Sequence, residues 1–215
     1  GHAAYAYCSG INNGKNSTVF TVDAWGDDIN YSCYKFQKKG QRIITDKISS
    51  GGEFIIGRLY RYVTLLLGFK PNEHEYKLMG MAPYSKEQYY NNLLKKFEKM
   101  QNVKQSKFKF INKPKDMYFI IKKMIDGNRF DVICGALQKY TENLLLKWVN
   151  NCVSKTKFND ICLAGGVAMN VKANLEISKL KKVKNVYVPP SPDDSSQAMG
   201  ACYAYSILNN LPVHK

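Results

Sequence analysis

The chain contains 215 residues with a formal net charge of +15, and 45% of its residues are hydrophobic while 23% are charged. This balance excludes a disordered or fibrous protein, and no apolar run approaches the roughly 18 residues of a membrane span. The charge is compatible with a polyanionic partner, but the lysines are interspersed with Asn, Ile and Tyr and no RNA-binding motif is present, so the sequence argues against a nucleic-acid partner.

The N-terminal part predicts the end of a helix followed by a meander of strands. Residues 2–9 are typical of the helix end and carry His2. Alternating, β-branched residues predict a strand over 17–24, and two further strands are predicted over 31–37 and 42–48. A turn at residues 25–28 follows the first strand, so a carboxylate, that of Asp23, should lie at the end of this strand.

The middle of the chain is a predicted helical insertion, about residues 52–155. Apolar residues recur there at helical spacing, and glycines or prolines punctuate the pattern. The longest segment has a continuous apolar stripe. The predicted helices are 54–67, 73–81, 86–99, 115–125 and 131–153, with a short hairpin expected within 102–114.

Two strand–helix units end the chain. A buried strand over 159–164 runs into Gly165-Gly166, after which a helix is predicted over 167–179; a strand over 185–189 and a helix over 195–208 follow. A glycine turn at a helix N-terminus offers free backbone N–H groups to an anion, and glycine lets a ligand lie directly on the backbone. A tight turn without a ligand explains the same pattern.

This order of elements predicts an α/β fold. Three antiparallel strands followed by alternating helices and strands indicate one five-stranded mixed sheet flanked by helices. That arrangement is the ribonuclease H-like unit of sugar kinases, actin and related nucleotide-binding proteins. We therefore predict a single lobe over residues 1–215.

The opening residues GHAAYAY lack the charged region and apolar core of a signal peptide, so we expect a cytoplasmic protein without a membrane partner. The six cysteines form no CxxC pair, which argues against a zinc site and favours reduced core residues.

Four segments of the chain resemble the O-carbamoyltransferases of the nodulation-protein NodU type, which carbamoylate antibiotics and nodulation factors. The resemblance runs nearly end to end, and KLMGMAPY and LAGGVAMN on one chain are its most specific features. The segments are HAAYAY (2–7), TVDAWGD (21–27), EYKLMGMAPY (75–84) and LAGGVAMN (163–170) with PPSPDDSSQAMGA (189–201).

The resemblance implies an actin-like domain, of which this chain would be the second lobe. In that family ATP and carbamoyl phosphate are converted to carbamoyladenylate in a separate C-terminal domain. The actin-like domain then transfers the carbamoyl group to a hydroxyl of a small molecule. It follows that an N-terminal lobe should precede residue 1 and the carbamoyladenylate-forming domain should follow residue 215, so that the isolated chain should be inactive alone.

The family also has a metal site, reported as iron, built from histidines of an HxxxH element and from aspartates. His2 matches the second of these histidines, Asp23 the aspartate of the TVDG-type motif and Asp194 the late aspartate. An imidazole and two carboxylates suit a hard or borderline divalent cation. Each residue has a simpler explanation: a structural histidine, a turn cap at Asp23 and a helix N-cap at Asp194.

By the same resemblance Gly165, Gly166 and Asn170 match the nucleotide loop. Asn170 could donate a hydrogen bond to a phosphate or ribose, or be a helix-surface amide. Lys77, within KLMGMAPY, could balance phosphate charge or be a solvated lysine.

Two other functions remain open from the sequence. One is a threonylcarbamoyl transferase acting on tRNA, which would use the +15 charge. The other is a non-catalytic nucleotide-binding lobe that serves as a partner module.

Overall fold

The computed structural model describes residues 1–10, 14–26 and 28–213. Asp27, which belongs to the predicted turn and to the TVDAWGD segment, lies outside the described residues. The strands are β1 (Ser17–Val22), β2 (Tyr31–Lys39), β3 (Arg42–Gly51), β4 (Gln101–Lys104), β5 (Lys107–Phe110), β6 (Asp160–Ala164) and β7 (Asn185–Tyr187). The α-helices are α1 (His2–Cys8), α2 (Ile56–Leu66), α3 (Glu75–Met81), α4 (Glu87–Glu98), α5 (Met117–Ile125), α6 (Phe130–Thr156), α7 (Val171–Ser178) and α8 (Gln197–Leu208).

Five strands form one mixed sheet in the order β3-β2-β1-β6-β7, and β4 pairs with β5 in a separate hairpin. β1 is antiparallel to β2 and parallel to β6, and β6 is parallel to β7. The predicted five-stranded mixed sheet is confirmed. The short hairpin expected within 102–114 is confirmed as well, at residues 101–110.

Helices cover both faces of the sheet at the adjacent strands β1 and β6, whose residues are almost entirely buried. On one face Phe20 and Leu163 belong to the main core together with residues of α2, α4 and α6. Trp148 of α6 is fully buried in this core, and its ring centre lies 5.0 Å from that of Phe20. On the other face Val19 and Cys162 pack with α1 and α8. Successive residues of β1 and β6 therefore serve opposite cores.

Several predicted boundaries are wrong for identifiable reasons. β7 ends at Tyr187 instead of residue 189, and prolines at 189 and 190 have no N–H with which to continue a strand ladder. The helix predicted over 167–179 is divided into a 3-10 turn over Gly166–Met169 and the helix α7. The break is at Asn170, whose backbone leaves the helical region (ψ 87°) and whose side chain caps α7 by accepting from the Ala173 N–H.

Among the helices that the structure describes, none combines the length and the apolar character needed to cross a membrane. Even the 27-residue α6 carries charged and amide side chains along its length.

Candidate functional site

The parallel pairing of β1 and β6 brings two turns together at one edge of the sheet. Thr21 of β1 pairs with Ala164 of β6, so the residues that follow these strands are neighbours. They are Asp23 after β1 and Gly165-Gly166 after β6. The contact is direct, because the Gly166 N–H donates to Oδ2 of Asp23 at 3.2 Å.

Gly165 is required by the protein's own backbone. Its φ of +93° lies in the region that favours glycine, and an added Cβ would lie 2.7 Å from the carbonyl carbon of Val22. Its N–H donates to the Pro192 carbonyl at 2.6 Å. The N–H groups of both glycines are therefore engaged within the chain, contrary to the expectation that the turn leaves them free for an anion.

We expect Gly165→Ala to lower the free energy of unfolding by more than about 2 kcal/mol, because the methyl group collides with β1 and the backbone is strained. For a chain of this size the melting temperature should fall by ~5 °C or more. Gly80→Ala is the matched control, since Gly80 lies in α3 and an added Cβ there would have no atom of the described residues within 4 Å. It should be neutral or stabilising by up to ~1 kcal/mol. Equal melting temperatures for the two variants would contradict the close approach.

Three side chains that are distant in sequence converge at this edge. Nε2 of His2 lies 3.2 Å from Oδ2 of Asp23 and 3.3 Å from Oδ1 of Asp194. One ligand atom from each residue lies within 4.8 Å of the others. The side chain of His2 is 13% exposed and that of Asp23 is 20% exposed, whereas that of Asp194 is 82% exposed, so the cluster opens toward solvent on the Asp194 side.

The electrostatics of Asp23 favour its ionised form. Burial alone would raise its pKa, but hydrogen bonds from His2 and from the backbone N–H groups of Ala24 and Gly166, together with the electrostatic attraction of His2, outweigh burial. The pKa of Asp23 is therefore lower than its ordinary value. The carboxylate caps its own turn through Ala24 at 2.7 Å and also faces the imidazole, so its role as a turn cap is compatible with a role as a metal ligand.

The donor set fits a divalent cation. An imidazole nitrogen and two carboxylate oxygens are ligands that hard or borderline divalent ions accept, and Nε2 of His2 faces both carboxylates. Its other nitrogen, Nδ1, is buried and has no hydrogen-bond partner among the described residues. The helix-cap alternative for Asp194 is not what the structure shows: Asp193 is the N-cap and accepts from the Ser195 N–H at 3.1 Å.

A cavity of about 700 Å³ adjoins the cluster. It runs from the sheet edge, past the 3-10 turn after Gly165, to α2 and the segment that enters α3. Among the described residues that line it, five are acidic and one is arginine, although the whole chain carries +15. The lining residues are Asp23, Ala24, Trp25, Gly57, Tyr60, Arg61, Asn72, Glu73, Glu75, Tyr76, Met79, Gly166, Val167, Met169, Asn170, Asp193, Asp194 and Ser195.

The structure brings most of the predicted site residues together. Asp23, Gly166, Asn170 and Asp194 line the cavity, and His2 contacts two of them. Lys77 does not line it. Its ammonium group lies 5.4 Å from the ring centre of Phe69 and 5.9 Å from that of Tyr76, which is the arrangement of a surface lysine held over aromatic rings.

Asn170 is not a helix-surface amide. It is 9% exposed, and its Nδ2 donates to Gln138 Oε1 at 2.9 Å and to the Tyr60 hydroxyl at 3.3 Å. Both N–H bonds that could have reached a phosphate or ribose are thus directed into the protein. Sequence reasoning missed Tyr60 and Gln138; a glutamine among the apolar residues of α6 was the available signal.

Comparisons of this chain with known proteins point to one family. The family model described as "Carbamoyltransferase N-terminus" matches residues 1–203. An uncharacterized protein of Methanocaldococcus jannaschii is 28% identical over 222 residues, which cover 99% of this chain and 41% of that protein. Nodulation protein NolO of Bradyrhizobium diazoefficiens is 24% identical over 209 residues, covering 95% of this chain and 37% of that protein. The chain thus spans well under half the length of these relatives.

Among solved structures, component A of (R)-2-hydroxyglutaryl-CoA dehydratase from Acidaminococcus fermentans matches 94% of this chain and 66% of that chain. The TM-score is 0.48 and the sequence identity is 13%.

Proposed function

Because the chain belongs to the Carbamoyltransferase N-terminus family, we propose that it is the lobe of a carbamoyltransferase that holds the carbamoyl donor and a hydroxyl acceptor for transfer. The donor in this proposal is carbamoyladenylate, made from ATP and carbamoyl phosphate, and the acceptor is a small molecule. The sheet would be the ribonuclease H-like unit of the actin-like proteins, a proposal supported by its mixed strand order.

The observation that carries this proposal is the convergence of His2, Asp23 and Asp194 beside the Gly165-Gly166 turn and the cavity. Residues from the beginning, the first strand and the end of the chain meet only through the fold. A carboxylate in a cleft whose pKa is perturbed, as that of Asp23 is, is typical of functional sites.

The acidic lining of the cavity is a physical reason to expect a cation at the cluster of His2, Asp23 and Asp194. A nucleotide is an anion, and a cavity with five carboxylates repels it unless a cation offsets their charge. His2, Asp23 and Asp194 would hold a divalent metal, which we expect to be iron. When bound, such an ion supplies Lewis-acid polarisation of a carbonyl oxygen.

The chain's own residues then account for binding and orientation. Asp23 holds the glycine turn through the Gly166 N–H, which fixes the cavity wall next to the carboxylate cluster. In the transfer step the acceptor oxygen bonds to the carbamoyl carbon, the bond from that carbon to the AMP phosphate oxygen breaks, and AMP and the acceptor's proton are released. Protein groups held in fixed positions beside the carbamoyl carbon would lower the activation barrier of this transfer, because they orient the reactants and stabilise developing charge.

The direct test is to incubate the full-length protein with ATP, carbamoyl phosphate and a panel of polyhydroxylated acceptors. We expect a mass increase of one carbamoyl group on an acceptor, with AMP formed in proportion. A matched reaction without carbamoyl phosphate is the control. Nucleotide binding without any carbamoylated product would favour the non-catalytic lobe instead.

One observation favours the alternative of a threonylcarbamoyl transferase-like protein acting on tRNA. Lys104 and Lys107 stand directly opposite each other on the β4–β5 hairpin and are exposed. Like charges in this position are destabilising without an anionic partner. The alternative predicts tRNA binding that weakens steeply with salt; absence of binding at low salt would exclude it.

A further inference from the structure

Behind the cavity, three buried side chains from different elements form a closed hydrogen-bond network. They are Tyr60 of α2, Gln138 of α6 and Asn170, the cap of α7. Tyr60 donates its O–H to Gln138 Oε1 at 2.5 Å. Gln138 and Asn170 exchange two hydrogen bonds, from Gln138 Nε2 to Asn170 Oδ1 at 3.0 Å and from Asn170 Nδ2 to Gln138 Oε1 at 2.9 Å.

The hydrogen-bonding capacity of Asn170 is completely used. A side-chain amide offers two N–H donors and two acceptor positions on its oxygen. The donors of Asn170 go to Gln138 and Tyr60, and its oxygen accepts from Gln138 and from the Ala173 N–H at 3.0 Å. No position remains for a ligand.

Gln138 is equally saturated. Its oxygen accepts from Tyr60 and Asn170, and its second N–H donates to Oε1 of Glu142 at 2.9 Å. Rotating either amide by 180° would set donor against donor, so only one arrangement satisfies the network. Burial raises the pKa of Tyr60 above its ordinary value, which keeps the phenol neutral and able to donate.

A fully satisfied buried network is rigid, and a partly satisfied one is costly, since each orphaned group loses hydration without compensation. This network joins α2 and α6 to the segment 165–170. Tyr60 and Asn170 line the cavity whereas Gln138 does not. A substitution at Gln138 can therefore affect a ligand in the cavity only through Tyr60 and Asn170.

We propose that Gln138 is a positioning residue that fixes the cavity wall over residues 165–170, and that Asn170 contributes to ligand binding through this network without contacting the ligand. The inference rests on the proposed function in one respect, that the cavity binds an adenine nucleotide.

Gln138→Met keeps a long unbranched side chain and removes the amide. We expect ATP binding by the full-length protein to weaken about tenfold, because the wall over residues 165–170 loses its fixed position. Gln101→Met is the matched control. Gln101 is also a buried amide, with hydrogen bonds to the Glu53 carbonyl and the Ile55 N–H, but it lies on the β4–β5 hairpin. Gln101→Met should lower the melting temperature about as much as Gln138→Met does, and it should leave the ATP affinity unchanged.

A double-mutant cycle separates positioning from contact. Asn170→Ala should weaken ATP binding about as much as Gln138→Met, and the double variant should bind no more weakly than either single variant. If Asn170 contacts the nucleotide, Asn170→Ala will weaken ATP binding more than Gln138→Met does, and the two losses of affinity will add in the double variant. That result would overturn the inference. Wild-type ATP affinity in Gln138→Met would overturn it as well.

Hydrogen exchange tests the same inference without a nucleotide. Gln138→Met, or Tyr60→Phe if the first variant folds poorly, should accelerate amide exchange over residues 165–170, whereas Gln101→Met should not. Unchanged exchange there would overturn the inference. If the wild-type protein binds no ATP, the proposed function fails, and the exchange result still decides whether Gln138 positions this segment.

Discussion

Asp23→Asn is expected to abolish stoichiometric metal binding and to lower carbamoyl transfer by the full-length protein at least ~100-fold. The substitution keeps the shape of the side chain, and its single amide oxygen can still accept from the Ala24 N–H, whereas the Gly166 N–H, which bonds to the other oxygen of Asp23, loses its acceptor. The substitution also removes the charge of the most buried carboxylate in the cluster. Neutral amides are far weaker ligands for a divalent ion than carboxylates, so the effect should fall on metal binding first.

Elemental analysis and titration with a divalent metal would measure this effect. Asp160→Asn is the matched control, because Asp160 lies at the opposite end of β6 and bonds to Asn185 at 2.5 Å. Asp194→Asn should also lower the metal content, although this carboxylate is mostly exposed. Metal content equal to wild type in Asp23→Asn would contradict the metal site, and the same result in Asp194→Asn would remove only that residue from the ligand set.

The sequence predicted the sheet because its determinants are local. The β-branched residues within 17–22 and the apolar run of residues 161–164 are almost entirely buried, and both features can be recognised from the residues themselves. The resemblance to the NodU-type carbamoyltransferases implied that Asp23 and Asp194 share one site, and in the structure both carboxylates lie beside His2.

The details of the cavity wall could not be predicted in the same way. Gly165 is a glycine because the backbone of Val22 lies against it, and that neighbour is far away in sequence. Asn170 looked available to a ligand because its partners, Tyr60 and Gln138, come from helices 110 and 32 positions away. Polar residues whose hydrogen-bond partners are distant in sequence leave no periodic pattern in the sequence, whereas the apolar faces of helices and strands do.

Gly166→Val should weaken ATP binding by the full-length protein at least ~100-fold, a loss of about 2.7 kcal/mol, while changing the melting temperature little. Gly166 lines the cavity and is not among the glycines with positive φ, so a side chain strains its backbone less than at Gly165. An added Cβ would lie 3.3 Å from Oδ1 of Asp23. The two further methyl groups of valine would therefore occupy space between the carboxylate cluster and the ligand.

The series Gly166→Ala and Gly166→Val makes the test quantitative. A single Cβ at 3.3 Å needs a shift of only a few tenths of an ångström in Asp23, so the alanine variant should lose little affinity. Isothermal titration calorimetry with ATP measures both variants, and a thermal melt of each separates a filled cavity from an unfolded chain. ATP affinity in Gly166→Val equal to that of the wild type would show that the nucleotide does not approach this backbone. A fall in melting temperature matching that of Gly165→Ala would instead assign Gly166 the same structural role as its neighbour.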